Sequence, residues 1–394
     1  MCAEPILTVN VGSSSIKLAA VTRDGGVPWR RELRAPEDGG LAGLPAALAQ
    51  APAAAAVGHR IVHGGPTRAT ATEITDRVRA DLLGLADLAP LHQPPALAAV
   101  DIVRRHCPGL PAVACFDTAF HHDLPAEAAR YPLPRAWCER FGLRRFGFHG
   151  LSHGYAARRA PEVLGIDSST TRTVICHLGS GASLAAVLGG RCVDTTMGFT
   201  PVDGLVQGTR CGSLDPGLVL WLLDGRGLTR AQVADGLGHQ SGLLALAGTA
   251  DMRAVLRRRA EGDERCAQAV DVYLHRLCAS VAGMAAAMNG LDLLVFTGGI
   301  GENSAELRAE AAHRLAWLGV AVDELVNTTT VRGADGEISP ATAQVRVVVV
   351  RAREDIEIAA QTRSVLRARV RTGPTDRPRL SYPAGQQAQA SRSA

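Results

Sequence analysis

The sequence predicts an α/β protein built from two copies of one unit that face each other across a cleft. Three observations carry this. Strand-like and helix-like patterns alternate along the 394 residues, which is the signature of a layered α/β architecture. The length exceeds one ordinary core and suits about two domains of 150–200 residues each. A strand–turn–strand–turn–strand unit also occurs twice, with Gly179 standing 167 residues after Gly12.

In the first copy, residues 6–11 (ILTVNV) read as a buried strand and Gly12-Ser13-Ser14 as a turn. Residues 15–22 form a second strand, Asp24-Gly25-Gly26 a hairpin, and a third strand follows near 27–34. In the second copy TVICHL (173–178), Gly179-Ser180-Gly181, ASLAAVL, Gly189-Gly190 and RCVDT repeat that order. Two unrelated hairpins are the plainer alternative, but the matched small-residue turns favour duplication.

Between and beyond these units, 54–65 contains a strand ending in glycines. Residues 94–107 are helical, and 111–120 are a strand entering a loop. Helices are expected over 151–164 and 266–288, where Val270, Leu274, Leu277 and Val281 fall at helical spacing. Residues 291–319 read as strand, glycine loop and a helix capped by Asn303 or Ser304. A last strand is expected at 345–350 and a final helix over 354–370. The domains are expected as 1–149 joined by 356–370, and 150–355. The tail 371–394, rich in Pro, Ser, Gln and Arg, reads as disordered.

Composition narrows the function classes. Hydrophobic residues are 46%, charged residues 20% and the net charge is +4 with scattered arginines, so neither nucleic acid nor a membrane is expected as partner. The start lacks a basic and apolar leader, and nine cysteines lie without a C-x-x-C pair. These read as reduced thiols of a cytoplasmic protein. Of 42 basic residues only Lys17 is a lysine. Its context, Ile16-Lys17-Leu18, excludes a P-loop, and no protein-kinase motif set is present.

Three small-residue segments point to phosphate. Asn10 to Lys17 offers backbone donors, hydroxyls and one compact ammonium. His177 to Ser183 repeats the turn in the second half. Phe296 to Asn303 follows a strand and opens a helix, where backbone donors suit a nucleotide. Each has a structural reading as a plain turn; the set suggests a triphosphate gripped from both sides.

NVGSSSIK, GHRIVHGG, FDTAFH, RRFGFHGLSH, HLGSGAS, MGFTPVDGL, GTRCGSLDP and FTGGIGENS, in that order across about residues 6–360, resemble the signature segments of the acetate kinase family. The resemblance implies two duplicated ribonuclease-H-like domains of the actin-like ATPase fold. It also implies reversible phosphoryl transfer from ATP to acetate giving acetyl phosphate and ADP, with Mg2+ (Mn2+ as a replacement), and a homodimer. It places Asn10 and Glu354 with the metal. ATP would be contacted by Lys17, Ser13, Ser15 and the turn His177, Leu178, Gly179, Ser180 and Gly181. Asp251, Met252 and Arg253 would lie beside the adenosine, and Gly299, Ile300, Gly301, Glu302 and Asn303 would form the nucleotide loop. Arg60 would bind the carboxylate and Asp117 would be the catalytic aspartate. His149 and Arg210 would stabilise the transition state, and Val62, Leu91, Phe148 and Pro201 would hold the acyl group.

The chemistry agrees with these implied roles. A carboxylate arrives ionised and needs no strong base. Transfer is then mostly positioning and charge stabilisation, with each lost group costing about 2–4 kcal/mol of barrier. Taken one at a time, Arg60 and Arg210 also read as surface cations, the histidines as satisfied core residues, and Asp117 as a cap. A zinc reading of His59-Arg-Ile-Val-His63 lacks a third ligand at metal spacing. Ser180, Ser213 and Arg353 stand where the family has asparagine, aspartate and asparagine, which bears on rate and nucleotide handling. The rival readings are a propionate or butyrate kinase of the same family and a nucleotide-switched binding protein without kinase activity.

Overall fold

The computed structural model describes residues 4–12, 15–34, 41–90, 92–330 and 335–372. Ser13, Leu91 and the expected tail from 373 onward lie outside the described residues.

Twelve strands form two six-stranded sheets. The first contains β1 (Ile6–Val11), β2 (Ser15–Val21), β3 (Trp29–Arg34), β4 (Ala56–Ile61), β5 (Thr72–Glu73) and β6 (Ala112–Phe116), in the order β3-β2-β1-β4-β6-β5. The second contains β7 (Arg172–Leu178), β8 (Ala182–Leu188), β9 (Arg191–Thr195), β10 (Leu293–Thr297), β11 (Gly336–Glu337) and β12 (Arg346–Val349), in the order β11-β12-β10-β7-β8-β9. Taken from the meander end the two orders correspond strand for strand, and β1–β4–β6 and β7–β10–β12 are both parallel runs. The duplication expected from the two turns therefore extends to the whole sheet.

Sequence explains the central strands. LLVFT and AVACF are buried at every position, as continuous apolar runs covered on both faces should be. The helix Glu264–Ala287 starts at Asp263, whose side chain accepts the Cys266 N–H, and buries Val270, Leu274, Leu277 and Val281 against the second sheet. The last helix, Glu354–Thr372, leaves the second sheet and packs on β1, β4 and β6 of the first. Gly58 in β4 makes this approach possible, because a Cβ there would run into Thr362 and Ile358 of that helix. Glu357 of the same helix is buried and paired with Arg158 of the helix Gly150–Leu164.

One expectation is corrected. The glycine segment after β10 is not a loop but a six-residue helix, Gly298–Asn303; Ser304, one of the two expected caps, caps the following helix, Ala305–Arg314. Gly298 turns the strand directly into helix with φ of +80°, where a Cβ would press on the Leu178 carbonyl. No helix among the described residues is long and apolar enough to cross a membrane.

Candidate active site

The ends of the two meanders and of their parallel strands meet around one cavity of about 480 Å³. Asn10, Lys17, Arg60, His149, His177, Ser180, Gly181, Arg210, Gly299, Glu302 and Glu354 all line it. Sequence positions hundreds of residues apart are thus brought together as expected.

Local structure aims these side chains. Asn10 and Lys17 are register partners across the β1–β2 hairpin, so they project from one face. The turn between them closes with the Gly12 N–H donating to the Ser15 carbonyl at 2.9 Å. Its counterpart closes with Gly179 N–H on the Gly181 carbonyl at 3.0 Å. Gly181 lies close against His149: a Cβ there would stand 3.0 Å from His149 Nε2 and push on the ring. Leu178 is not at the surface of this turn but 1% exposed in the core. His149 holds a left-handed backbone with φ of 58°, rare for a residue with a side chain. It sits between the buried Phe148 and the start of the helix Gly150–Leu164, whose first N–H donates to the Asp117 carbonyl at 2.9 Å.

Charge is arranged unevenly. Arg60 forks onto Asp117 through Nε at 3.0 Å and Nη2 at 2.6 Å, and its Nη1 donates to Asn10 Oδ1 at 3.3 Å. Most of the guanidinium fork expected for a substrate carboxylate is therefore engaged by Asp117, and Nη1 remains the outer donor. Burial works against the Arg60 charge, yet Asp117 and Glu354 raise it above the ordinary arginine value. Burial pushes Asp117 upward, against the pull of Arg60. Burial also acts upward on Glu354, but Arg60, His177, the Asn10 amide at 2.5 Å and Lys17 hold it below the ordinary range. Arg210 differs: its Nη1 donates to the Pro201 carbonyl at 3.2 Å and to Gln207 Oε1 at 3.0 Å. It has no carboxylate partner among the described residues. Burial, then Arg60, pull its charge stability down, so this cation lacks an anion.

The histidines are neutral donors or acceptors here. Burial pushes His177 down to about 4 and His149 well below its ordinary value. His92, which the sequence reading passed over beside Leu91, also lines the cavity and is pushed down to about 3 by burial and by Arg210 and Arg60. Its polar side chain among Leu and Pro residues at the start of a helix was the available signal. Ser183 and Ser152 were missed as well; their hydroxyls meet His149 Nδ1 at 2.9 Å and His177 Nδ1 at 2.8 Å.

Other expected residues sit at the margin. Val62 and Phe148 pack with Ala89, Phe146 and Met197 in a buried apolar cluster, adjoining in sequence Arg60 and His149. Neither they nor Pro201 line the cavity itself. Glu302 binds the Gly298 and Ala352 N–H groups at 3.1 and 2.9 Å, tying the glycine helix to the segment before Glu354. Asn303 caps back onto the Gly299 carbonyl at 2.9 Å. Ile300 packs on the core and Gly301 is buried. Met252 is buried in the second core, while Asp251 pairs with the exposed Arg253 at 3.0 Å. These three do not line the cavity, although the segment starts beside Gly208, whose N–H donates to the Ser180 carbonyl at 2.9 Å. Ser213 donates to Asp203 at 2.6 Å, where an aspartate would face a like charge. Arg353 is neutralised by Asp355 at 3.0 Å.

A sequence profile described as the acetokinase family matches residues 46–360. The chain belongs to the acetokinase family. Its relatives include an acetate kinase of Synechococcus sp. (strain JA-2-3B'a(2-13)), 45% identical over 320 residues, 81% of this chain and 78% of the relative. Among solved structures, the acetate kinase of Porphyromonas gingivalis is 35% identical with a TM-score of 0.83, covering 92% of this chain and all of the other. A propionate kinase from Francisella tularensis is 31% identical with a TM-score of 0.82, covering 91% and 98%. The acetokinase family membership and the paired sheets together give the actin-like ATPase fold.

Proposed function

We propose that the chain is an acetate kinase that transfers the γ-phosphoryl group of ATP to acetate, reversibly. The observation that carries this reading is Arg210: a half-buried guanidinium without a carboxylate partner among the described residues, in one cavity with Arg60, Lys17 and two glycine turns. Such a site favours anions, and family membership supports which two anions meet there.

In this reading the carboxylate oxygen attacks the γ-phosphorus, the bond from phosphorus to the β,γ-bridging oxygen breaks, and ADP leaves. The carboxylate needs no deprotonation at neutral pH. Arg60, held by Asp117, presents Nη1 to the substrate carboxylate. Arg210 and His149 meet charge on the equatorial phosphoryl oxygens. Lys17, Ser13, Ser15, His177 and residues 178–181 hold the phosphates, and residues 299–303 with 251–253 the nucleoside side. The family resemblance assigns Val62, Leu91, Phe148 and Pro201 to the acyl group; Val62 and Phe148 sit in the buried apolar cluster adjoining Arg60 and His149 in sequence rather than on the cavity wall. Their bulk favours acetate, but one methylene is worth only about 1–3 kcal/mol, so propionate is discriminated partially.

Mg2+ fits the donor set. Asn10 and Glu354 lie side by side, the Asn10 amide nitrogen donating to Glu354 Oε2, and each carries a hard oxygen; the described residues contain no cluster of three acidic, histidine or cysteine ligands. That suits an ion that keeps water and phosphate ligands. Bound there, it would neutralise phosphate charge. We take residues 1–149 with 356–370, and 150–355, as the two domains. A homodimer is supported by the helix Pro216–Leu223, which reads PGLVLWLL yet buries none of its residues. A cytoplasmic setting is supported by the use of ATP and by eight described cysteines that are all free.

The test is hydroxamate formation from ATP, Mg2+, hydroxylamine and acetate, propionate or butyrate. Acetate is expected to give the highest kcat/KM; no hydroxamate from any of the three would refute the proposal.

A further inference from the structure

The cleft histidine His149 is the end of a buried hydrogen-bonded chain. Ser183 Oγ lies 2.9 Å from His149 Nδ1 and 2.8 Å from His153 Nε2. Ser183 and His153 are both fully buried, and His153 Nδ1 has no hydrogen-bond partner among the described residues. Behind them His121 Nε2 faces the Phe148 carbonyl at 3.0 Å, and its Nδ1 meets Cys192 Sγ at 3.0 Å. A carbonyl only accepts, so His121 donates from Nε2, and its Nδ1 is left as an acceptor for the Cys192 thiol, which also lies 3.3 Å from the Asp194 carbonyl. The Nε2 bond pins the peptide leading into the left-handed His149.

The proton positions on the other two rings follow by counting. A hydroxyl has one proton, so Ser183 donates to one imidazole and accepts from the other. Both rings are neutral, since burial holds each well below its ordinary value. Were Ser183 to donate to His153 Nε2, the His153 proton would sit on Nδ1, a buried N–H with nothing to bond. In the opposite arrangement His153 Nε2–H donates to Ser183, Ser183 donates to His149 Nδ1, and only an acceptor lone pair is left over at His153 Nδ1. Orphaned buried N–H groups are the rarer and costlier defect, so the second arrangement holds. The proton of His149 then lies on Nε2, the atom that faces Gly181 on the wall of the cavity.

We propose that His153 and Ser183 are positioning residues that fix His149 as a neutral Nε2–H donor aimed into the cleft at the phosphoryl group being transferred. This rests on the phosphoryl-transfer reading above for its target, though not for the proton assignment. A neutral donor aimed in advance supplies a hydrogen bond to developing charge without a protonation step.

The test combines spectroscopy with kinetics on the full chain. In the 15N-histidine-labelled enzyme, with His149 assigned by its loss in His149→Asn, two-bond 1H–15N correlations should show the Nε2–H pattern. Ser183→Ala should mix the two tautomers of His149 and lower kcat about tenfold, with both KM values within about twofold. His153→Gln keeps a donor to Ser183 and should preserve the Nε2–H pattern. His153→Leu removes that donor, frees Ser183 to accept from His149 and should shift it toward Nδ1–H. An Nδ1–H pattern in the wild type, or unchanged pattern and kcat in Ser183→Ala, overturns the proposal. Because the spectrum needs no turnover, an Nε2–H enzyme that forms no acyl phosphate refutes the phosphoryl-transfer reading alone. Turnover with an Nδ1–H pattern refutes the relay alone.

Discussion

Removing the Arg210 guanidinium should separate activity from stability. In Arg210→Ala the substrate anions lose a preorganised cation, worth about 2–4 kcal/mol in the transition state, or roughly 30- to 1000-fold in kcat/KM. The fold loses two hydrogen bonds, to the Pro201 carbonyl and Gln207, at about 1 kcal/mol each. It is also relieved of a half-buried cation with no carboxylate partner among the described residues, whose desolvation cost is of the same order as those two bonds. The two changes nearly cancel, so the thermal midpoint should stay within about 3 °C of wild type. Arg60→Ala is the contrast: it strands Asp117, 1% exposed, and should cost about 3–5 kcal/mol of stability as well as activity. Steady-state kinetics and thermal unfolding of the two variants decide the matter. If Arg210→Ala unfolds as early as Arg60→Ala, Arg210 is a structural residue and the unsatisfied-cation reasoning fails.

Three further outcomes are expected. Lys17→Arg should raise the KM for ATP roughly tenfold, about 1.5 kcal/mol, by replacing a compact charge with a planar one; unchanged kinetics would make the lone lysine incidental. Burial holds His59, His63 and His121 to about 3, 4 and 4 in the folded protein. The unfolded chain takes protons on these residues at about 6.5, so their contribution is intact above that pH and lost as pH falls toward 4. Urea denaturation should show a loss of about 1 kcal/mol for each between pH 6.5 and 5.5, about 3 from these three, with the buried His92, His149, His153 and His177 adding in the same direction; a flat profile would contradict their burial as neutral groups. Leu220→Glu with Trp221→Glu, at sites 67% and 54% exposed, should convert a dimer to a monomer by light scattering, each lost burial being worth about 2 kcal/mol. A monomeric wild type would remove the reason for the exposed helix.

The parts of the fold legible in sequence were those written locally. The two turns at Gly12 and Gly179 announce the repeat, and the apolar runs at 112–116 and 293–297 announce central parallel strands. The helix at 216–223 left no periodic signal because it is apolar all round, and the glycines of 298–303 imitate a loop. Within the site, the residue types were legible but their pairing was not. Arg60 meets Asp117 only because β4 and β6 lie side by side with Arg60 opposite Cys115, a register that no short window contains. The same holds for Ser183 between His149 and His153, which depends on how the helix Gly150–Leu164 packs on β7, the hairpin partner of β8.

The most direct measurement follows phosphorus itself. With ATP, Mg2+ and acetate, 31P NMR should show an acyl-phosphate signal growing at the rate at which ADP appears, and reversing when acetyl phosphate and ADP are supplied instead. Inorganic phosphate as the only primary product, or an ATP spectrum that never changes, would contradict a cleft built to join these two anions.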